Sequence, residues 1–331
     1  MAAADNDKLV LFALNASRGL GERVATHLGV ALSAHEEREF EDGEHKARPL
    51  VSVRGRDTFV IQSLHGDAAA SVNDKLVRLL FFLGALRDAG AGRVTAVVPY
   101  LAYARKDRKT QPRDPVTTRY VAGLFEAVGI DRIMTLEVHN LVAFQNAFRC
   151  GTEHLDATRL FAGYFRPLLG SEAVAVVSPD AGGVKRAERL RAALSHMLGR
   201  DVASAFIEKL RAKGVVSGGA LVGDVRERHV IIVDDLVSTG TTLVRAVAAC
   251  HAGGARRIYC AATHGLFVGG AAALLTQPEL AGLVVTDSVP PFRVDPGSNR
   301  EKLTLLEIAP LFAEAIYRLH TNGSLVDLVE G

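Results

Sequence analysis

Short runs of β-branched and apolar residues alternate along the chain with longer segments whose apolar positions follow the helical period. The runs that predict strands are Phe59–Gln62, Val94–Val98, Arg132–Leu136, Ala173–Val177, Ser204–Ile207, Val230–Val233, Ile258–Ala262 and Leu283–Val285. The clearest helical patterns are Asn73–Ala89, Val184–Leu194, Thr242–Ala252 and the closing segment Ala309–His320. This alternation is typical of βαβ units, in which helices cover both faces of a mostly parallel sheet. We therefore expect an α/β fold.

A weak internal repeat predicts two similar domains. The residues Gly-Ala-Gly-Arg-Val at 90–94 recur as Gly-Ala-Arg-Arg-Ile at 254–258, and each copy follows a strand pattern and a helical pattern. The offset of about 164 residues is half of the 331-residue chain. We expect an N-terminal domain over residues 1–154, joined by the C-terminal segment 305–331, and a C-terminal domain over residues 155–304.

Composition narrows the class of protein. The chain has 48% hydrophobic and 23% charged residues and a net charge of +2, so it carries no broad charged field for nucleic acid or a membrane surface. Its three cysteines form no CxxC pair, as in proteins of a reducing compartment. The chain starts with small and acidic residues and has no apolar run of the roughly 18 residues that a spanning helix needs. We expect a cytoplasmic protein with neither nucleic acid nor membrane as partner.

The strongest chemical signal follows the strand pattern Val230–Val233. The chain continues through Asp234 and Asp235 into the turn Ser238-Thr239-Gly240-Thr241-Thr242 and then a helix. Backbone N–H groups at a helix start suit a phosphate, hydroxyls add donors, and paired carboxylates accept hydrogen bonds from vicinal hydroxyls. The pattern indicates a sugar phosphate site and lacks the Gly-Lys-Ser/Thr of a Walker loop. The alternative is a plain Asp-Asp turn with a threonine helix cap.

Three further segments follow predicted strands and carry charge. They are the cationic run Arg105-Lys106-Asp107-Arg108-Lys109, the single His139, and Asp180 followed by Gly182 and Gly183. The carboxyl ends of parallel strands are where α/β sheets bind ligands, and arginine offers a flat, bidentate surface to phosphates or a purine. The alternatives are a solvated basic loop, a structural histidine and a plain turn before a helix. Residues 208–219 form another cationic, glycine-containing stretch, which is either a mobile lid or an ordinary exposed hairpin.

Taken in chain order, these segments resemble the motifs of the ribose-phosphate diphosphokinase (phosphoribosyl pyrophosphate synthase) family. The resemblance covers nearly the whole chain and implies two tandem type I phosphoribosyltransferase-like domains, each a mostly parallel sheet flanked by helices. The segments that carry it are Phe40-Glu41-Asp42-Gly43-Glu44, Val72-Asn73-Asp74, Val98–Lys109, Leu136-Glu137-Val138-His139, Ser178-Pro179-Asp180-Ala181-Gly182-Gly183, Asp234–Thr242 and Thr263-His264-Gly265.

The resemblance also implies an activity and a role for each motif. The expected reaction transfers the diphosphoryl group of MgATP to the C1 hydroxyl of ribose 5-phosphate, giving 5-phospho-α-D-ribose 1-diphosphate (PRPP) and AMP, for nucleotide biosynthesis. A homo-oligomer, either a hexamer or dimers of dimers, is expected to place the ATP site at a subunit contact. The implied roles are Asp234, Asp235, Ser238, Thr239, Gly240, Thr241 and Thr242 for ribose 5-phosphate; Arg105, Lys106, Arg108 and His139 for ATP, with Phe40, Asp42 and Glu44 from a neighbouring subunit; Asp180 and His139 for Mg²⁺; and Lys209 and Arg211 as the catalytic pair of a flexible flap.

Three positions depart from the family pattern, and two other functions stay open. Lys106 stands where the family usually has glutamine, which leaves the nucleotide preference open. Ser238 and Thr241 stand where many members have aspartate and glycine, and this change in the ribose loop predicts altered affinity rather than loss of activity. A non-catalytic regulatory paralogue would be expected to lose residues of the flap or the ribose loop. A phosphoribosyltransferase of the same fold would be about one domain long and would lack the segments Phe40–Glu44 and Arg105–Lys109.

Overall fold

The computed structural model describes residues 8–212, 215–295, 297 and 299–329, apart from the side chains of residues 209–212, 215–219 and 329. The chain divides into two compact units. Unit 1 comprises residues 1–155 and 308–331, and unit 2 comprises residues 156–307. None of the described helices is long and apolar enough to cross a membrane.

The elements alternate between strands and helices over most of the chain. In chain order they are β1 (Leu9–Ala13), α1 (Arg18–Leu28), β2 (His35–Glu39), β3 (His45–Pro49), β4 (Asp57–Ile61), α2 (Val72–Asp88), β5 (Arg93–Val98), α3 (Thr117–Ala127), β6 (Arg132–Leu136), α4 (Leu141–Ala147), β7 (Gly151–Leu155), α5 (Thr158–Leu169), β8 (Val174–Ser178), α6 (Val184–Leu198), β9 (Ala203–Ala212), β10 (Val215–Val222), β11 (His229–Val237), α7 (Thr241–Ala252), β12 (Arg257–Gly265), β13 (Leu280–Thr286), β14 (Leu303–Leu306), α8 (Ala309–His320) and α9 (Val326–Val329).

Unit 1 is built on a parallel five-stranded sheet in the order β1-β4-β5-β6-β7, and β2 and β3 form a separate antiparallel ribbon. The strands β1 and β4 are buried along their whole length, as expected for a parallel sheet covered on both faces. Helix α8 returns to this unit and packs on α1. The buried Asp57 holds the C-terminal end of α8 in place. Its carboxylate pairs with the guanidinium of Arg93 and lies 2.7 Å from Nδ1 of His320, the last residue of α8.

Unit 2 is built on a seven-stranded sheet in the order β10-β9-β8-β11-β12-β13-β14, in which only the β9–β10 pair is antiparallel. Successive residues of β11 point to opposite faces. Val230 and Ile232 pack in the cluster that contains Leu243 of α7, whereas Ile231 and Val233 pack in the cluster that contains Leu190 of α6. Helices therefore cover both faces, as the sequence predicts.

The structure corrects two predicted boundaries that matter for the site. Strand β11 extends to Val237 instead of ending at Val233, because its ladder with β12 continues past Asp234 to Leu236 and Val237. The two carboxylates therefore lie inside a strand. Strand β9 extends beyond Ile207 to Ala212 and pairs with β10, so the backbone of the cationic stretch forms a hairpin, with residues 213 and 214 outside the described part.

Candidate active site

The centre of the site in unit 2 is a pair of adjacent carboxylates on β11. Oδ1 of Asp234 accepts a hydrogen bond from the N–H of Asp235 at 2.9 Å, and Oδ1 of Asp235 accepts one from the N–H of Leu236 at 3.0 Å. Arg186 lies across the pair, with Nη1 3.6 Å from Oδ1 of Asp234 and Nη2 4.0 Å from Oδ2 of Asp235. One guanidinium therefore compensates two carboxylates.

This arrangement changes the acidity of Asp234. Burial and the neighbouring Asp235 carboxylate raise the pKa of Asp234 to about 7, and the cation of Arg186 acts in the opposite direction. Near neutral pH the Asp234 carboxyl is thus poised between its charged and neutral forms. It can accept hydrogen bonds from a ligand's hydroxyls when it is ionised.

A hydroxyl-lined turn connects β11 to α7. Gly240 has φ +75°, in the left-handed region that favours glycine, and a Cβ placed there would make an ordinary contact of 3.4 Å with the carbonyl oxygen of Ala271. The Oγ1 atoms of Thr239 and Thr241 lie 3.1 Å apart. The backbone N–H groups of the first turn of α7 follow directly, and such groups favour an anion.

Asp180 lies beyond the end of β8, the neighbour of β11, so it shares the carboxyl edge of the sheet with the carboxylate pair. Its Oδ1 accepts hydrogen bonds from the N–H groups of Gly182 (2.9 Å) and Gly183 (3.2 Å). The turn from Ala181 to Gly183 contacts β11 and leads into α6, which carries Arg186. A Cβ at Gly183 would lie 2.7 Å from Oγ of Ser178, so a larger residue would displace this turn.

Arg186 is the site residue that the sequence analysis missed. It is the third residue of α6, and the first turn of a helix usually favours acidic side chains because of the helix dipole. A cation there, directly after the Asp180 turn, contradicts the local preference. Such contradictions are expected at functional sites, and this one is the signal that could have identified the residue.

In unit 1, two loops meet at the carboxyl edge of the sheet. One follows β5 and contains Arg105 and Arg108; the other follows β6 and contains His139. Nδ2 of Asn140 donates to Oδ2 of Asp107 at 2.6 Å and ties the loops together. Arg105, Arg108 and His139 are exposed, and among the described residues neither arginine makes an ion pair.

The other unit 1 residues that the sequence singles out have different surroundings. Lys106 points back into its own loop, where Nζ lies 2.5 Å from Oδ2 of Asp114. Phe40, Asp42 and Glu44 occupy the tip of the β2–β3 ribbon, where Oδ1 of Asp42 accepts a hydrogen bond from the N–H of Glu44 at 3.0 Å. The guanidinium of Arg38 lies 4.9 Å from the centre of the Phe40 ring, and Asp42 and Glu44 are exposed.

The structure thus assembles two groups of predicted residues, each within its own unit. Unit 2 brings together Asp180, the carboxylate pair and the 238–242 turn; unit 1 brings together the loops of Arg105 and His139. The predicted metal ligands His139 and Asp180 belong to different units, and the side chains of Lys209 and Arg211 lie outside the described residues, so those roles stay predictions. No group of three or more His, Cys, Asp or Glu side chains in the described part of the chain is suited to hold a metal ion.

Similarity to known proteins extends over nearly the whole chain. Residues 9–129 match the family model for the N-terminal domain of ribose phosphate pyrophosphokinase, and residues 205–330 match that for the phosphoribosyl synthetase-associated domain. The chain is 38% identical to a ribose-phosphate pyrophosphokinase of Caldanaerobacter subterraneus subsp. tengcongensis over 97% of this chain and 98% of that protein. It is also 38% identical to the Mycobacterium tuberculosis protein of the same name over 99% of this chain and 98% of that one.

A similarity of the same extent is found among solved structures. The crystal structure of phosphoribosylpyrophosphate synthetase from Mycobacterium smegmatis superposes with a TM-score of 0.84 and 35% sequence identity. The match covers 96% of this chain and 100% of that one.

Proposed function

The chain belongs to the ribose-phosphate pyrophosphokinase family, and we propose that it transfers the diphosphoryl group of MgATP to the C1 hydroxyl of ribose 5-phosphate, giving PRPP and AMP. Membership confirms the resemblance, the α/β fold class and the enzyme class predicted from the sequence. The observation that carries the proposal is the pair Asp234 and Asp235 beside the 238–242 turn. The pair can accept hydrogen bonds from two vicinal hydroxyls, and the neighbouring turn supplies hydroxyl and N–H groups that can donate hydrogen bonds to a phosphate.

Ribose 5-phosphate occupies unit 2 in this proposal. The ionised carboxylates of Asp234 and Asp235 accept hydrogen bonds from the ribose hydroxyls, and the cation of Arg186 favours that ionised form. The hydroxyls of Ser238, Thr239, Thr241 and Thr242, with the N–H groups at the start of α7, receive the 5-phosphate. Ser238 donates a hydrogen bond there without adding the negative charge that an aspartate would bring.

ATP is held by Arg105 and Arg108 of unit 1, whose exposed guanidinium groups can each form paired hydrogen bonds with phosphate oxygens. The roles of Phe40, Asp42 and Glu44 require a second subunit, so the proposal includes a homo-oligomer, a hexamer or dimers of dimers, with the ATP site at a subunit contact. Their position at an exposed ribbon tip supports such a contact. We also place the protein in the cytoplasm.

Mg²⁺ is the proposed metal, with the Asp180 carboxylate and His139 as its protein contacts. Mg²⁺ usually binds one or two carboxylates, several waters and substrate phosphates, and the single carboxylate of the Asp180 turn fits that pattern. When bound, Mg²⁺ neutralises charge on the transferring phosphates. Asp180 is suited to this role because the N–H groups of Gly182 and Gly183 fix its Oδ1.

The chain's own contribution to the reaction is positioning and charge compensation. The C1 hydroxyl oxygen forms a bond to the β-phosphorus, the bond from the β-phosphorus to the oxygen shared with the α-phosphorus breaks, and AMP leaves with that oxygen. The C1 hydroxyl proton is released. Lys209 and Arg211 are proposed to close over the phosphates and offset the developing charge.

The decisive experiment is ³¹P NMR of the protein with MgATP and ribose 5-phosphate. Production of AMP together with a sugar-linked diphosphate is the expected result, and Asp235→Asn should reduce its rate at least about tenfold because an acceptor for the ribose hydroxyls is lost. A matched control is Asp224→Asn, an exposed carboxylate of the same unit that pairs with Arg228. Formation of ADP would contradict the chemistry, and intact ATP with and without added inorganic phosphate would favour the non-catalytic paralogue.

A further inference from the structure

The loop that follows β5 contains an internal clamp. One carboxylate oxygen, Oδ2 of Asp114, accepts hydrogen bonds from Nζ of Lys106 at 2.5 Å and from Oγ1 of Thr110 at 2.7 Å. The same oxygen accepts the backbone N–H groups of Thr110 and Gln111, both at 3.0 Å. Nζ of Lys106 also donates to Oγ1 of Thr110 at 2.9 Å. The segment between residues 106 and 114 is therefore closed on itself.

The clamp is anchored to the body of unit 1 at Lys106. The carbonyl oxygen of Lys106 accepts hydrogen bonds from the N–H of Thr118 at 3.4 Å and from Oγ1 of Thr118 at 3.2 Å. Thr118 is buried in the first turn of α3, which packs in the core. Both the backbone and the ammonium group of Lys106 are thus held, one by the helix and the other by the carboxylate of Asp114.

The four consecutive residues 105–108 have two kinds of surroundings. Lys106 and Asp107 are bonded to other parts of unit 1, through Asp114 and Asn140. Arg105 and Arg108 on either side are exposed and form no ion pair among the residues that the structure describes. Within residues 105–108, the side chains of Lys106 and Asp107 are therefore bonded within unit 1, whereas those of Arg105 and Arg108 face solvent.

We propose that Lys106 and Asp114 act as a positioning clamp that presents Arg105 and Arg108 to the phosphates of the nucleotide, and that Lys106 itself does not contact the nucleotide. The identity of that ligand rests on the proposed function; the clamp itself does not. Replacing the family's usual glutamine by Lys106 then adds no cation to the nucleotide site, because Asp114 compensates the added charge. The affinity for the nucleotide should therefore depend on Arg105 and Arg108.

The test separates the clamp from a direct contact. If Lys106 bound the nucleotide itself, Asp114→Asn would release the ammonium group and leave the KM for ATP unchanged or lower it. If the pair is a clamp, Lys106→Met and Asp114→Asn should each raise the KM for ATP about five- to tenfold, and the double variant should be no worse than either single variant. The KM for ribose 5-phosphate should stay unchanged, and Lys106→Arg, which keeps a cation for Asp114, should restore most of the ATP affinity.

A second readout needs no nucleotide. Without the clamp, the bonds after Arg108, Lys109 and Arg113 should be cleaved by trypsin several-fold faster in Lys106→Met and Asp114→Asn than in the wild type. Gln111→Ala is the matched control, because its exposed side chain contributes nothing to the clamp and its N–H is retained. Unchanged cleavage, or additive changes of KM in the double variant, would overturn the clamp. If the variants change the rate of cleavage by trypsin as expected but the wild-type protein does not use ATP, the proposed function is refuted and the clamp is not.

Discussion

Removing the Arg186 cation should shift the pH dependence of ribose 5-phosphate use. The variant Arg186→Met keeps an apolar stem of similar length and deletes the charge that lies 3.6 Å from Asp234 and 4.0 Å from Asp235. Burial and Asp235 already raise the pKa of Asp234 to about 7, so without the opposing cation it must rise further. The ionised form, which we propose accepts the ribose hydroxyls, then needs a higher pH.

The size of the shift follows from the geometry. At 3.6 Å and an effective dielectric constant of about 20, the attraction is about 4 to 5 kcal/mol, which would correspond to roughly three pH units. The side chains of Arg186 and Asp234 are 12% and 20% exposed, so water screens part of that attraction and we expect a shift of about one to two units. At pH 7 the ionised fraction of Asp234 would fall from about a half to roughly 1–10%, lowering kcat/KM for ribose 5-phosphate about 5- to 50-fold.

The assay is kcat/KM for ribose 5-phosphate from pH 5.5 to 9.5 at saturating MgATP, paired with calorimetric titration of the sugar phosphate at three pH values. Arg191→Met is the matched control, because Arg191 lies on the same helix but pairs with Glu188. Its profile should coincide with the wild type. A variant Arg186→Met that loses activity equally at every pH, with no change in the midpoint, would refute the electrostatic reasoning.

Three further variants test the energetics. We expect Asp234→Asn to be catalytically impaired but more stable than the wild type, with a free energy of unfolding in urea that is roughly 1–3 kcal/mol higher at pH 8 and equal at pH 4. The reason is that the pKa of Asp234 is about 7 in the folded protein against an ordinary 3.8. Ionising this carboxyl therefore removes up to about 4 kcal/mol of stability as the pH rises from about 4 to 7. In Gly240→Ala, the left-handed φ should cost about 1–2 kcal/mol in thermal unfolding and raise the KM for ribose 5-phosphate, whereas Gly163→Ala inside α5, with open space around it, should be neutral or stabilising. Burial acts to raise the pKa of Asp67, but hydrogen bonds from Lys75 and two backbone N–H groups hold it at about 2, so its contribution to stability is present above about pH 4 and is lost towards pH 2. Lys75→Met should therefore cost roughly 2–4 kcal/mol in urea unfolding at pH 7 and clearly less at pH 3, and an equal cost at both pH values would contradict this account.

Several elements with a strong apolar period were located well from the sequence. The strand Arg132–Leu136 and the helix Ala309–His320 have the predicted bounds, and α2 differs from its prediction by one residue at each end. In each of these elements the apolar residues that set the sequence pattern are the ones that the structure buries, so the pattern locates the element correctly.

Some of the missed elements carry no such pattern, whereas strand β1, with the apolar sequence Leu-Val-Leu-Phe-Ala, has one and was also not predicted. Strand β2, with the sequence His-Glu-Glu-Arg-Glu, has no apolar residue and is a strand because β3 pairs with it along its whole length. The edge strand β7 is only partly buried over most of its length and is defined by its pairing with β6. The two acids of β11 disfavour a strand by themselves, but the continuing ladder with β12 overrides that preference.

By itself, the sequence determined the α/β class and the order of the chemical motifs, because these depend on local periodicity and on residue types at fixed spacing. The residues of the sugar phosphate site stay a prediction from the same patterns. Only the tertiary structure decided which charges meet. Arg186 reaches Asp234 and Asp235 from a helix about 50 residues earlier in the chain, and His320 reaches Asp57 across 263 residues. Such pairings are set by the folding of the chain, which brings distant side chains within a few ångströms, and no local pattern of residues encodes that distance.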